Sequence, residues 1–163
     1  MTVNTRVLEW TESDLDATGA LREVVRAPAA VLSTAGETVD PTAPEVVQLA
    51  ADLVATMRVS PGCVGLAAPQ VGVGAQVFCV DVSEHPKTRD HHGTFVLCNA
   101  EVVSGSRNEK AREGCMSVPD LTGDVRRPSR IVVRGQLPGT GEEVEIEAEA
   151  SASAGRSTSA TRR

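Results

Sequence analysis

A chain of 163 residues with 40% hydrophobic and 23% charged side chains is long enough to bury a core of its own and has the make-up of one globular domain. A formal charge of −6 and a pI near 5.1 argue against a general nucleic-acid binder, so no direct nucleic-acid partner is expected. No stretch approaches the roughly 18 apolar residues that cross a bilayer, and the first sixteen residues carry Glu9, Glu12, Asp14 and Asp16 in place of an apolar signal region. A cytoplasmic location without a membrane partner is the expectation.

Phe78, Phe95 and Trp10 are the only aromatic residues, so the core has to be built from Val, Leu, Ile and Ala. The cysteines, Cys63, Cys79, Cys98 and Cys115, form no close pair, and free thiols fit better than a disulfide framework.

Through about residue 40, short apolar clusters at Leu21–Val25 and Ala29–Leu32 alternate with turn-forming residues and read as an arm lying over a core. We place residues 1–20 as the N-terminal arm and 21–150 as the domain. Thr42, Pro44 and Glu45 predict a helix start, with Thr42 as cap, proline in the first turn and an early acid. Val46, Leu49, Ala50, Leu53, Val54 and Met57 then recur at helical spacing and define one buried face, until Ser60-Pro61-Gly62 stops the helix.

Beyond it the period changes to that of strands. Residues 76–82 and 94–103 predict two buried strands around a polar loop, and Arg130–Arg134 predicts a third. A fourth, at 143–150, alternates Glu143, Glu145, Glu147 and Glu149 with Val144, Ile146, Ala148 and Ala150, which marks one wet face. The turn joining the last two lies at Leu137–Gly141. One helix followed by several strands predicts an α+β fold. Residues 151–163 contain nothing larger than Ala that could enter a core, and are expected to form a disordered tail.

Two segments carry candidate chemistry. In residues 62–72, glycines and alanines surround the single polar side chain Gln70, a donor and acceptor in one group. Taken alone this composition equally describes a tight loop between helix and strand. In residues 113–119, Cys115 stands between Gly114 and Met116. It reads either as a small buried apolar residue or as a thiolate ligand, and a ligand would need partners such as histidine. The histidines are His85, His91 and His92, all in the polar loop, where adjacent His91 and His92 cannot share a helical face as an i,i+4 pair does.

The two segments together are more specific. Gly65-Leu66-Ala67-Ala68-Pro69-Gln70, followed some forty residues later by Glu113-Gly114-Cys115-Met116-Ser117, resembles the first two signature motifs of peptide deformylases, GxGxAxxQ and EGC[LM]S. Cys63 stands where many members carry glycine. The resemblance implies a peptide-deformylase-like α+β fold with strands around a helix. It also implies a metal-assisted hydrolysis that removes the formyl group from the N-terminal formyl-methionine of nascent chains, with ribosome association. By the same resemblance Cys115 is a ligand to Fe(II), or to Zn, Ni or Co, together with two histidines. The Gln70 side chain and the Met116 backbone N–H stabilise the oxyanion, Gly65 and Leu66 hold the peptide, and Glu113 pairs with Arg127 to brace the site.

The third motif of that family, a helix bearing HExxH, supplies both histidines and the general base, and no HExxH occurs in these 163 residues. A single thiolate falls short of the three protein ligands of a catalytic site. The chain as written is therefore expected to retain no metal and to be inactive. Its Ser/Ala/Thr/Arg tail is what a truncated or frame-shifted gene would encode, and a non-catalytic peptide-binding pseudoenzyme is the alternative. Without that helix, apolar residues such as Val80, Val132 and Ile146 are expected to face water.

Overall fold

The computed structural model describes residues 15, 17–84 and 93–149. Its one α-helix among these residues, α1 (Pro44–Val59), starts where the sequence predicts. The cap differs. Ala43 occupies the N-cap position without a side-chain bond, and the fixed φ of Pro44 opens the first turn. Thr42 is drawn away, because its N–H and its hydroxyl both donate to Asp40 Oδ1, at 2.9 and 2.7 Å. Glu45 in the first turn and Arg58 in the last complement the helix dipole.

The predicted face of α1 is buried along its length, with Leu53 and Val54 fully enclosed. Asp52 and Thr56 are buried beside it and tie down the preceding chain. Asp52 accepts from Ala20 N–H (2.8 Å), Gln48 Nε2 (2.8 Å) and Arg22 Nε (2.7 Å), and Thr56 Oγ1 accepts from Arg22 N–H (2.9 Å). Burial pushes the Asp52 carboxyl up, but these donors and the Arg22 charge outweigh it and hold the group below its ordinary value. At Gly19 an added Cβ would lie 2.3 Å from the Ala51 carbonyl oxygen. Leu15 belongs to the core cluster as well.

The main sheet is antiparallel throughout, in the order β1 (Gly65–Ala67), β2 (Val77–Val80), β3 (Phe95–Gly105), β6 (Arg130–Gln136), β7 (Glu143–Glu149). Helix α1 covers the β1–β2 end. There Leu66 pairs with Cys79, Cys79 pairs with Val96, and all three are completely buried. β3 is buried over its first four residues and exposed over its last five, so it runs off the core. A bulge follows Cys98, where Asn99 takes φ 53°. The Asn99 side chain clamps Val39 through both its N–H (2.9 Å) and its carbonyl (2.8 Å), and donates to Gln136 Oε1 (2.8 Å).

The wet face of β7 is partnered. Arg134 of β6 sits opposite Glu145 and bonds it at 2.6 Å, while Arg130 pairs with Glu147. Ile146 is buried in the core rather than facing water, and Val80 and Val132 are half-buried. Exposed large apolar side chains lie elsewhere, at Val102, Val103, Val118 and Leu121 among others. The other departure from expectation is a long hairpin, β4 (Asn108–Cys115) and β5 (Val118–Pro128), which forms a two-stranded sheet of its own. Among the described residues no helix is long and apolar enough to cross a membrane. The tail at 151–163, the N-terminal part of the arm and the three histidines lie outside the described residues.

Candidate active site

The two motifs meet in space. After β1 the chain makes a 3-10 turn, Ala68–Val71, closed by Gly72 at φ 83°, a left-handed conformation that glycine adopts without strain. Gln70 lies on this turn and is buried. Its Oε1 accepts the N–H of Ala67 at 3.0 Å, which orients the amide so that Nε2 donates to Cys115 Sγ at 3.5 Å. The 62–72 segment is therefore a strand and a turn that aim one side chain, and not a plain connecting loop.

Cys115 ends β4 and is exposed, so the reading of it as a buried apolar residue fails. Two backbone bonds seat the arm between the motifs: Val25 N–H donates to Gln70 O, and Ala27 N–H donates to Ser117 O, both at 2.8 Å. Glu113 and Arg127 form a two-pronged pair, Nε to Oε1 and Nη2 to Oε2 at 3.1 Å each, with both side chains largely shielded from water. In the hairpin register Arg127 faces Glu109, so its guanidinium reaches diagonally along the ladder to Glu113.

A cleft of about 690 Å³ lies between the hairpin and β1, lined by Cys63, Gly65, Gln70, Cys115, Val118 and Leu121 among others. Leu66 is absent from its walls, because its side chain is fully buried in the core on the other side of β1. Val118 and Leu121 join the cleft without having been singled out in the sequence, and Cys63, noted there only as a departure from glycine, lines it as well. Cys63 donates its S–H to the Gly65 carbonyl at 3.2 Å. Burial pushes its thiol up, the Gly65 contact opposes this, and the nearby Cys115 adds to the rise. Cys79 and Cys98 are sealed in the sheet, where burial pushes both thiols up to about 12. The hydroxyl of Ser117, next to the cleft, is buried and has no hydrogen-bond partner among the described residues.

Among the described residues the donor set does not by itself fit a catalytic metal. Among the described residues no three His, Cys, Asp or Glu side chains converge closely enough to hold an ion. Cys115 has an amide as its neighbour, and the Glu113 carboxylate is occupied by Arg127.

Fold and cleft define an α+β protein in which a cysteine-bearing hairpin lies against a glutamine-bearing turn. A family model described as polypeptide deformylase matches residues 21–154. Peptide deformylase 1 of Vibrio vulnificus is 41% identical over 125 residues, covering 77% of this chain and 70% of that protein. The peptide deformylase of Dictyoglomus thermophilum is 36% identical over 116 residues, covering 71% and 70%. The crystal structure of a Legionella pneumophila peptide deformylase superposes with a TM-score of 0.71 at 30% identity, covering 80% of this chain and 73% of that one. An Acinetobacter baumannii peptide deformylase crystallised with Met-Ala-Ser bound gives 0.72 at 27% identity, covering 82% and 86%. The chain belongs to the peptide deformylase family.

Proposed function

We propose that this chain supplies the peptide cleft and the oxyanion donors of a deformylase, and that its substrate class is the N-terminus of formyl-methionyl peptides. The observation that carries this is the Gln70 amide, locked by the Ala67 N–H and directed at Cys115. A fixed N–H donor beside an open cleft stabilises negative charge developing on a carbonyl oxygen without reorganising. The Met116 backbone N–H, one residue past Cys115, is the second donor, and the Gly65 backbone borders the cleft where a peptide would lie. Glu113 and Arg127 stiffen the hairpin that carries Cys115. The bound Met-Ala-Ser of the Acinetobacter relative supports a methionyl peptide as the occupant.

Catalysis is a separate matter. On this reading the 163-residue polypeptide, which has Cys115 but no HExxH, holds no stoichiometric Fe, Zn, Ni or Co and does not turn over formyl-peptides by itself. Lack of a general base alone costs a factor of about 10²–10⁴. Two measurements on the purified chain test the proposal. Titration with formyl-Met-Ala-Ser should show saturable binding that Gln70→Ala weakens, while hydrolysis should match the buffer blank. Absence of binding removes the peptide cleft, and a saturable rate removes the inactivity. Grafting a helix bearing HExxH after residue 149 decides between a deformylase front end and a binding module. A front end gains metal and activity together, whereas a binding module gains metal at most.

A further inference from the structure

The charged side chains lining the cleft are Glu113, Arg127 and Asp120, and the first two neutralise one another at 3.1 Å. Asp120 is exposed, and no hydrogen bond or ion pair engages its carboxylate among the described residues. The adjoining hollow shares Met116 and is lined by Glu23 and Arg26, one charge of each sign, so it adds no net charge. The cleft is therefore left with one uncompensated negative charge.

The backbone sets Asp120 apart as well. In the hairpin register Gly114 pairs with Thr122 and Cys115 with Val118, so Pro119, Asp120 and Leu121 have no partners on β4 and bulge from the ladder. Asp120 takes φ 64° in this bulge, a left-handed conformation that aspartate tolerates at a cost glycine would avoid. Strained positions of this kind gather at ligand clamps. Here the strain holds a carboxylate between Val118 and Leu121, the apolar side chains that the hairpin contributes to the cleft.

We propose that Asp120 is a specificity-determining residue, which makes the cleft favour formyl-methionyl peptides with lysine or arginine in the two positions after the methionine and disfavour those with acids there. This rests on the reading of the cleft as a peptide site. A peptide seated along the Gly65 backbone shares the cleft with the bulge. An unpaired carboxylate there attracts a cation and repels an anion, and at an exposed position each effect is about two- to fivefold in affinity. Specificity is the difference between the two, so repulsion of the acidic peptide widens it as much as attraction of the basic one.

Titration of the intact 163-residue chain with formyl-Met-Lys-Lys-Ser, formyl-Met-Ala-Ala-Ser and formyl-Met-Glu-Glu-Ser at low salt tests this. The lysine peptide should bind tightest and the glutamate peptide weakest, with steps of about two- to fivefold that narrow as salt is raised. Asp120→Asn removes the charge while asparagine tolerates the same φ, so the bulge stays and the three affinities should converge. Glu45→Gln removes one negative charge from the exposed start of α1, away from the cleft, and should leave the order as in the wild type. Equal affinities in the wild type, an order that survives Asp120→Asn, or an order flattened as much by Glu45→Gln overturns the proposal. In those cases the alanine peptide still binds and the peptide cleft stands. Failure of all three peptides to bind overturns the cleft reading and this proposal together.

Discussion

The helix-backed end of the molecule and the β4–β5 hairpin solve opposite problems. At the first, α1 presses Leu53, Val54 and Met57 against Leu66, Cys79 and Val96, and almost nothing there meets water. The hairpin is wet over most of both strands. Directed contacts from Ala27 to Ser117 and from Gln70 to Cys115 hold it in place, and the Glu113–Arg127 pair braces it internally. Stability therefore resides in one region and the chemistry-bearing groups in the seam between the two. Such a division lets the cleft change shape without unfolding the core.

The strongest way to break this contrast is to open a hole in the packed end. Leu53→Ala, at a fully buried position, should cost about 2–5 kcal/mol, a large share of the stability of a domain this size. Urea titration would measure it. A loss below about 1 kcal/mol would mean that the helix end is not the stability centre.

Asp52→Asn comes next, at about 1–3 kcal/mol, because it takes the charge from a buried acceptor that serves the arm and leaves Arg22 without its partner. The folded carboxyl lies below its ordinary value near 3.8, so its contribution is complete above that pH and is lost as pH falls through the folded value. The wild-type chain should therefore lose stability below about pH 4 more steeply than Asp52→Asn. Parallel acid titrations of the two would contradict this.

On the hairpin, Arg127→Ala should cost about 1 kcal/mol or less in global stability, yet speed hydrogen exchange in β4 and β5 and weaken formyl-peptide binding. Equal loosening of α1 would show that the hairpin and the core are one cooperative unit. The smallest effect is expected for Ser117→Ala. Its hydroxyl is buried without a partner among the described residues, so deleting it should change stability by less than about 0.5 kcal/mol or raise it slightly. A loss beyond about 1 kcal/mol would reveal a buried water or another group on that oxygen.

Legibility in the sequence followed the same division. The helix face and the four strands near 77–80, 95–105, 130–136 and 143–149 were readable because burial imprints a period on neighbouring residues. Their ends shifted by a few residues. The hairpin was not readable, since Asn108-Glu109-Lys110-Ala111-Arg112-Glu113 has neither apolar alternation nor strong strand formers. Cross-strand hydrogen bonds and charge pairs such as Lys110–Asp124, at 2.8 Å, accompany the ladder instead.

By itself the sequence determined the α+β class, the aliphatic core and the two motifs, since each is a matter of residue type and spacing along the chain, while the pairing of Glu113 with Arg127 came from the family resemblance and is present in the structure. Only the tertiary structure decided that Leu66 turns into the core while Cys63 turns into the cleft, and that Ile146 is covered. It alone brought the Gln70 amide onto the Cys115 sulfur across a separation of 45 residues. The physical reason is that alternation along a strand says which residues share a face but not what that face meets. What it meets is set by long-range packing, when the hairpin folds back over β1 and the arm is fastened between them.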